Sequence, residues 1–234
     1  MSAEPTRGGP QRIPRPAGFE PGRPAPWAGA SADARHLTFD RIRRSLAEAG
    51  PARRAPREHE AVRGSAVLAP LYLHDGDVHV VLTRRSSALR VHSGEVSFPG
   101  GGRDEGERLL DTALREAHEE IGLDPGAVEV VGELDHLGTI TSGSFIVPFV
   151  GVLPGRPHLT PSPAEVDAVL HVPLAELLDP AVYREERWPI FGAERSIFFF
   201  ELVGDTIWGA TAAMLRQLLG IATGTVGRGD LRHE

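Results

Sequence analysis

Residues 101–123 read Gly101-Gly102-Arg103-Asp104-Glu105-Gly106-Glu107-Arg108-Leu109-Leu110-Asp111-Thr112-Ala113-Leu114-Arg115-Glu116-Ala117-His118-Glu119-Glu120-Ile121-Gly122-Leu123. From Arg108 to Ile121 the pattern is helical, with Leu110, Ala113, Leu114, Ala117 and Ile121 in one narrow arc that seats the helix on a core. Glu116, Glu119 and Glu120, spaced i, i+3 and i+4, face away from that stripe. Three carboxylates crowded on one side of a helix repel one another unless a cation sits among them. A hard divalent ion, Mg²⁺ or Mn²⁺, takes oxygen ligands while leaving positions for water and phosphate oxygens.

On either side of this helix the chain alternates strand-like and helical runs. Ser65–Leu73 and Val78–Thr83 flank His74-Asp75-Gly76-Asp77, a hairpin turn signal. Further strands are expected at 128–134, 145–152, 166–172 and 196–202, with helices at 174–178 and 206–219. Mixed strands with a central and a late helix indicate an α+β fold of the α/β/α sandwich type, occupying residues 64–221. Residues 222–234 are expected to form a flexible C-terminal tail. Residues 1–34 hold seven of the 20 prolines and five glycines and read as a disordered tail. Residues 35–63 read as a short basic amphipathic helix, carrying Leu37, Ile42 and Leu46, followed by a linker.

The net charge of −7, from 32 acidic and 25 basic residues, disfavours a broad grip on nucleic acid or an anionic membrane. It is unevenly spread: residues 1–63 carry 12 Arg against 7 acids. Every basic residue is Arg, and the chain has no Lys, Cys or Asn. Disulfides, thiolate metal sites, Cys nucleophiles and Schiff-base lysines are thereby excluded. No apolar run reaches the length of a membrane span and no secretory h-region opens the chain, so a cytoplasmic protein is expected.

Glycine, five residues, Glu107, seven residues, then Arg-Glu-aliphatic-any-Glu-Glu-any-Gly-aliphatic resembles the Nudix box at every fixed position. The resemblance implies a hydrolase of nucleoside diphosphate derivatives on an α/β/α sandwich with a mixed sheet. It implies Glu116 and Glu120 as principal metal ligands and Glu119 as a further ligand or the group that activates water. Glu107 and Arg115 would brace the loop through ion pairing, and Gly101 and Gly122 would permit tight turns.

Immediately upstream, Val81-Leu82-Thr83-Arg84-Arg85-Ser86 and Arg90, Gly94 and Phe98-Pro99-Gly100-Gly101 resemble the signature of the coenzyme A pyrophosphatase branch, departing only at Val81. The branch implies cleavage of coenzyme A or acyl-CoA to 3′,5′-ADP and (acyl-)4′-phosphopantetheine. Coenzyme A carries a 3′-phosphate besides its pyrophosphate, and Arg85 and Arg90 are the guanidinium forks expected to bind phosphate, with Gly100 and Gly101 allowing close backbone approach. Arg84 points the other way along its strand. Glu165, after the loop Pro161-Ser162-Pro163-Ala164, is a further carboxylate that such a loop could bring over the metals as base or ligand. Trp208 reads as a core anchor and His118 as exposed. The readings left open are another nucleotide substrate, such as ADP-ribose, a dinucleoside polyphosphate or a damaged nucleoside triphosphate, and a nucleotide-sensing domain without turnover. A small-molecule substrate is expected as partner, and a homodimer stays open.

Overall fold

A computed structural model describes residues 6–55, 58, 63–89, 92–138 and 144–230. In chain order its elements are β1 (Glu20–Pro21), α1 (Ala32–Arg35), α2 (Phe39–Glu48), β2 (Arg63–His74), β3 (Asp77–Arg85), β4 (Val96–Ser97), β5 (Gly100–Gly102), α3 (Leu109–Ile121), β6 (Glu129–Glu133), β7 (Leu137–Gly138), β8 (Ser144–Val152), β9 (Val166–Pro173), α4 (Leu174–Leu177), β10 (Tyr183–Ile190), β11 (Ala193–Glu201), β12 (Thr206–Trp208) and α5 (Gly209–Thr223).

The turn between β2 and β3 sets the register of the central sheet. Asp75 and Gly76 both take positive φ, 50° and 86°, the paired left-handed conformation that a two-residue loop needs to follow the strand twist. Leu71 then lies opposite Val80. β8 runs parallel to β2, from Arg63 beside Ser144 to Leu71 beside Val152. The sheet follows the order β4-β3-β2-β8-β6, with β5 also on β2, β9 on β3 and β7 on β8. A second sheet has the order β1-β10-β11-β12.

Alternation along the strands divides two cores. Ala69, Leu71, Val80, Leu82 and Val150 join a core shared with α2, α5 and the second sheet. Ala66, Leu68, Tyr72, Val81 and Val147 meet Ala113, Ala117 and Ile121 of α3 on the other face. α3 stops at Gly122, whose φ of 68° lets its N–H return to the carbonyls of Ala117 and His118. α5 buries residues around most of its circumference, as expected of a helix enclosed between layers.

The N-terminal reading needs correction. Over residues 6–34 the proline-rich segment packs on the second sheet instead of lying free. Glu20 and Pro21 pair with Arg187 and Glu186 of β10, and Trp27 is completely buried, 6.1 Å from and nearly parallel to Phe200 and edge-on to Tyr183 at 5.5 Å. Prolines restrict the unfolded chain, so an extended strap costs less to order than its composition suggested, and one buried indole offsets much of the remainder. The expected flexible C-terminal tail is likewise anchored through residue 230. Ala222 and Thr223 belong to α5, Arg228 bonds Asp135 at 3.3 Å, and the Gly229 N–H donates to the same carboxylate at 2.5 Å. Residues 206–208, expected in the last helix, form β12, because Trp208 pairs with Phe199 and the positive φ of Gly209, 62°, turns the chain into α5. Trp208 packs against the cluster of Trp188, Ile197 and Phe199. Among the described residues no helix is long and apolar enough to cross a membrane.

Candidate active site

β5 pairs with β2 through Ala66 opposite Gly101 and Val67 opposite Gly100, which brings its backbone directly over α3. Side chains are excluded there. At Gly100, φ is 154° and a Cβ would run into the carbonyl of Ala66; at Gly101 a Cβ would stand 2.5 Å from the carboxyl group of Glu116. The glycines therefore let a strand approach the helix closely enough to cover two of its glutamates.

Glu120 is the more deeply covered, at 3% exposure. This corrects the helical-wheel reading, which turned all three glutamates outward. The Gly100 N–H donates to Glu120 Oε2 at 3.2 Å, and Arg85, at the end of β3, brings Nη1 within 3.8 Å of Oε1. Burial pushes the Glu120 carboxyl up to about 7; the Gly100 N–H and Arg85 oppose the shift, and the charges of Glu116 and Glu165 add to it. Glu116 is also raised, chiefly by burial, against the opposing pull of Arg115. Glu119 stays exposed.

Arg115 ties the box together. Its Nε and Nη2 hold Glu107 at 2.9 and 3.1 Å, Nη1 reaches Glu116 at 2.9 Å and Glu119 at 3.0 Å, and Nη2 also donates to the Gly102 carbonyl. Glu107 further accepts from Thr112 Oγ1 at 2.7 Å and the Asp104 N–H at 3.2 Å. With Arg115 and then Thr112 as the main causes, its carboxyl is held down to about 2. The loop after β5 is thus clipped to α3.

The loop carrying Glu165 docks on the C-terminal end of α3: the Thr160 N–H donates to the Ile121 carbonyl at 2.9 Å and the Ser162 N–H to that of Glu120 at 2.8 Å. The Ser86 N–H in turn donates to the Glu165 carbonyl at 2.8 Å, so the exposed Glu165 carboxylate acts electrostatically on both Glu116 and Glu120. Arg84, one residue before Arg85, turns to the opposite side and grips Asp205 bidentately at 2.8 and 2.6 Å. His118 is exposed and bonded to the Leu123 carbonyl at 3.1 Å. Arg90 and residues 139–143 lie outside the described residues.

Among the described residues, no three His, Asp or Glu side chains enclose a cation as they stand. The donor set nevertheless fits a hard divalent ion. It consists of carboxylate oxygens; among the described residues buried Glu120 has only a distant guanidinium as counter-charge, and Glu116 and Glu119 share one nitrogen of Arg115, which a cation could displace. Glu116 and Glu120, with Glu119 at the mouth, are the residues that could hold it.

Sequence inspection did not reveal the Gly100 N–H on Glu120 or the sharing of Arg115 between Glu116 and Glu119. The first depends on the register between β5 and β2, which no local pattern encodes; the second joins residues within one turn of α3, and the i,i+4 spacing of Arg115 and Glu119 was the signal that could have found it.

The NUDIX domain family profile matches residues 62–191, more than half of the chain. Nudix hydrolase 22, chloroplastic, of Arabidopsis thaliana is 44% identical over 153 residues, spanning 60% of this chain and 49% of that protein. The chain thus spans about half the length of this plant relative. The uncharacterized Nudix hydrolase NudL of Photorhabdus laumondii is 38% identical over 157 residues, 67% of this chain and 83% of that one. The crystal structure of RenU, a Nudix hydrolase from M. smegmatis, aligns over 70% of this chain and 86% of its own with 20% identity and a TM-score of 0.48. On the family profile and the identity to NudL, the chain belongs to the Nudix hydrolase family.

Proposed function

We propose that the protein hydrolyses the pyrophosphate bond of coenzyme A and its thioesters, giving 3′,5′-ADP and (acyl-)4′-phosphopantetheine. One observation carries this reading: Arg85, from the upstream signature, and Gly100, where that signature adjoins the box, both meet the Glu120 carboxylate. The arginine suited to a phosphate therefore stands beside the proposed metal ligands.

Glu116 and Glu120, with Glu119 in reach, would hold a Mg²⁺ or Mn²⁺ ion, which would supply charge neutralisation at the pyrophosphate and acidify a water. Arg85, relieved of Glu120, forks onto phosphate oxygens. Arg115 holds Glu107 through Nε and Nη2, so the loop would stay clipped to α3 even if its Nη1 contacts to Glu116 and Glu119 were given up. The Gly100 N–H fixes one oxygen of Glu120. Water attacks phosphorus, the new P–O bond forms as the bridging P–O bond breaks, and the water proton passes to a carboxylate. Glu119 and Glu165 are the exposed carboxylates placed to take it.

Comparative turnover tests the substrate. Coenzyme A is expected to be cleaved with a kcat/KM well above that of ADP-ribose in Mg²⁺. Hydrolysis of ADP-ribose or a dinucleoside polyphosphate with coenzyme A untouched would overturn the assignment and leave the metal chemistry standing.

A further inference from the structure

Away from α3 and β5, a cavity of about 920 Å³ opens between the β10–β11 hairpin, α5, the N-terminal strap and the segment that follows α5. Among the described residues six arginines line it: Arg23, Arg53, Arg187, Arg195, Arg216 and Arg228. None of its lining residues belongs to the glutamate site, to β3 or to the loop carrying Glu165.

Three of the six are already matched. Arg187 bonds Glu20 at 2.5 Å and lies 3.6 Å from Glu194. Arg216 pairs with Asp230 while its guanidinium covers the Phe198 ring at 4.6 Å. Arg228 bonds Asp135 at 3.3 Å and the Gly50 carbonyl at 3.1 Å. The remaining acid, Glu185, accepts from Tyr183 Oη at 3.2 Å and Ser196 Oγ at 2.9 Å. Among the described residues, the guanidinium groups of Arg23, Arg53 and Arg195 have no hydrogen-bond or ion-pair partner, and the Arg195 Nε is shut off from solvent as well.

Three unmatched guanidinium groups around one concavity, in a chain of net charge −7, form a local field that favours an anion. Guanidinium forks match phosphate oxygens, and several acting together select for multiple charges. Among the described residues the one aromatic ring lining the cavity, Phe198, is already covered by Arg216, so they offer no free platform for stacking a base. We propose that this cavity is a second, non-catalytic site that binds a small oligophosphate anion through Arg23, Arg53 and Arg195.

The probe is inorganic tripolyphosphate, titrated calorimetrically into the full chain in EDTA at constant ionic strength. Wild-type protein is expected to bind one equivalent. Arg53→Gln/Arg195→Gln is expected to weaken binding at least tenfold while coenzyme A turnover in Mg²⁺ is unchanged, and Arg85→Gln is expected to keep wild-type affinity. Arg23→Gln/Arg53→Gln, which alters only exposed side chains, gives the same readout should loss of Arg195 disturb folding. Absence of binding, unchanged affinity in both double variants, loss of binding in Arg85→Gln, or binding of a single-stranded oligonucleotide in place of tripolyphosphate would each overturn the proposal.

Discussion

Replacing Glu120 by Gln separates the cost of burying this carboxylate from its use. Its pKa stands at about 7 in the folded chain, against 4.5 for the ordinary group. The folded state therefore holds a proton that the unfolded state releases, and stability falls as pH rises from about 4.5 to 7. Above pH 7 the full penalty applies, and below pH 4.5 it vanishes. At roughly 1.4 kcal/mol per unit, the burial of Glu120 costs the metal-free protein about 3 kcal/mol at pH 8. Gln fills nearly the same space, accepts the Gly100 N–H through its carbonyl oxygen and does not ionise. Among the described residues only the 3.8 Å approach of Arg85 is lost. Denaturant titration in EDTA is expected to show the variant more stable than wild type by about 1–3 kcal/mol at pH 8, with the curves converging near pH 4.5. Saturating Mg²⁺ is expected to raise wild-type stability and leave the variant unmoved. A variant no more stable than wild type at pH 8, or equally stabilised by Mg²⁺, would refute the reasoning.

Gly101→Ala places a methyl group against the Glu116 carboxyl; kcat is expected to fall about 10- to 100-fold, as displaced catalytic groups typically cause, with the fold intact by circular dichroism. Glu119→Gln is expected to lose at least about 100-fold in kcat, by removal of a ligand or proton acceptor, with the thermal midpoint unchanged; retained activity would remove Glu119 from the site. Trp27→Ala is expected to cost about 3–5 kcal/mol in denaturant titration, because the vacated space lies beneath Tyr183 and Phe200; a neutral result would return the N-terminal segment to the status of a free tail.

How much of this was legible beforehand depended on whether the signal was local. The stripe on α3, its glycine cap and the Asp75-Gly76 turn each rest on residues within a few positions of one another, and each formed as read. The burial of Glu120 was not legible, since a helical wheel cannot show that β5 will cross it. β10 escaped notice because Tyr183-Arg184-Glu185-Glu186-Arg187 looks solvated. Its buried acid Glu186 is satisfied by Arg15 at 3.0 Å, by the Trp188 indole N–H at 2.7 Å and by Arg184, and the first of these is 171 residues away. The N-terminal strap was misread for the same reason, its one fully buried large apolar residue, Trp27, finding its partners only in the folded second sheet. Arg85, read as a phosphate fork, has its guanidinium 3.8 Å from the Glu120 carboxylate, a neighbour that its position in the upstream signature does not announce.

The central claim is that a water, activated at the Glu116–Glu119–Glu120 cluster, cleaves the pyrophosphate of coenzyme A. Incubation with coenzyme A and Mg²⁺ in ¹⁸O-labelled water, with mass spectrometry of both products, tests it most directly. The account predicts 3′,5′-ADP and 4′-phosphopantetheine with a single ¹⁸O atom in one of the two, and no product from Glu120→Gln. Intact coenzyme A, or cleavage at the 3′-phosphate in place of the pyrophosphate, would contradict it.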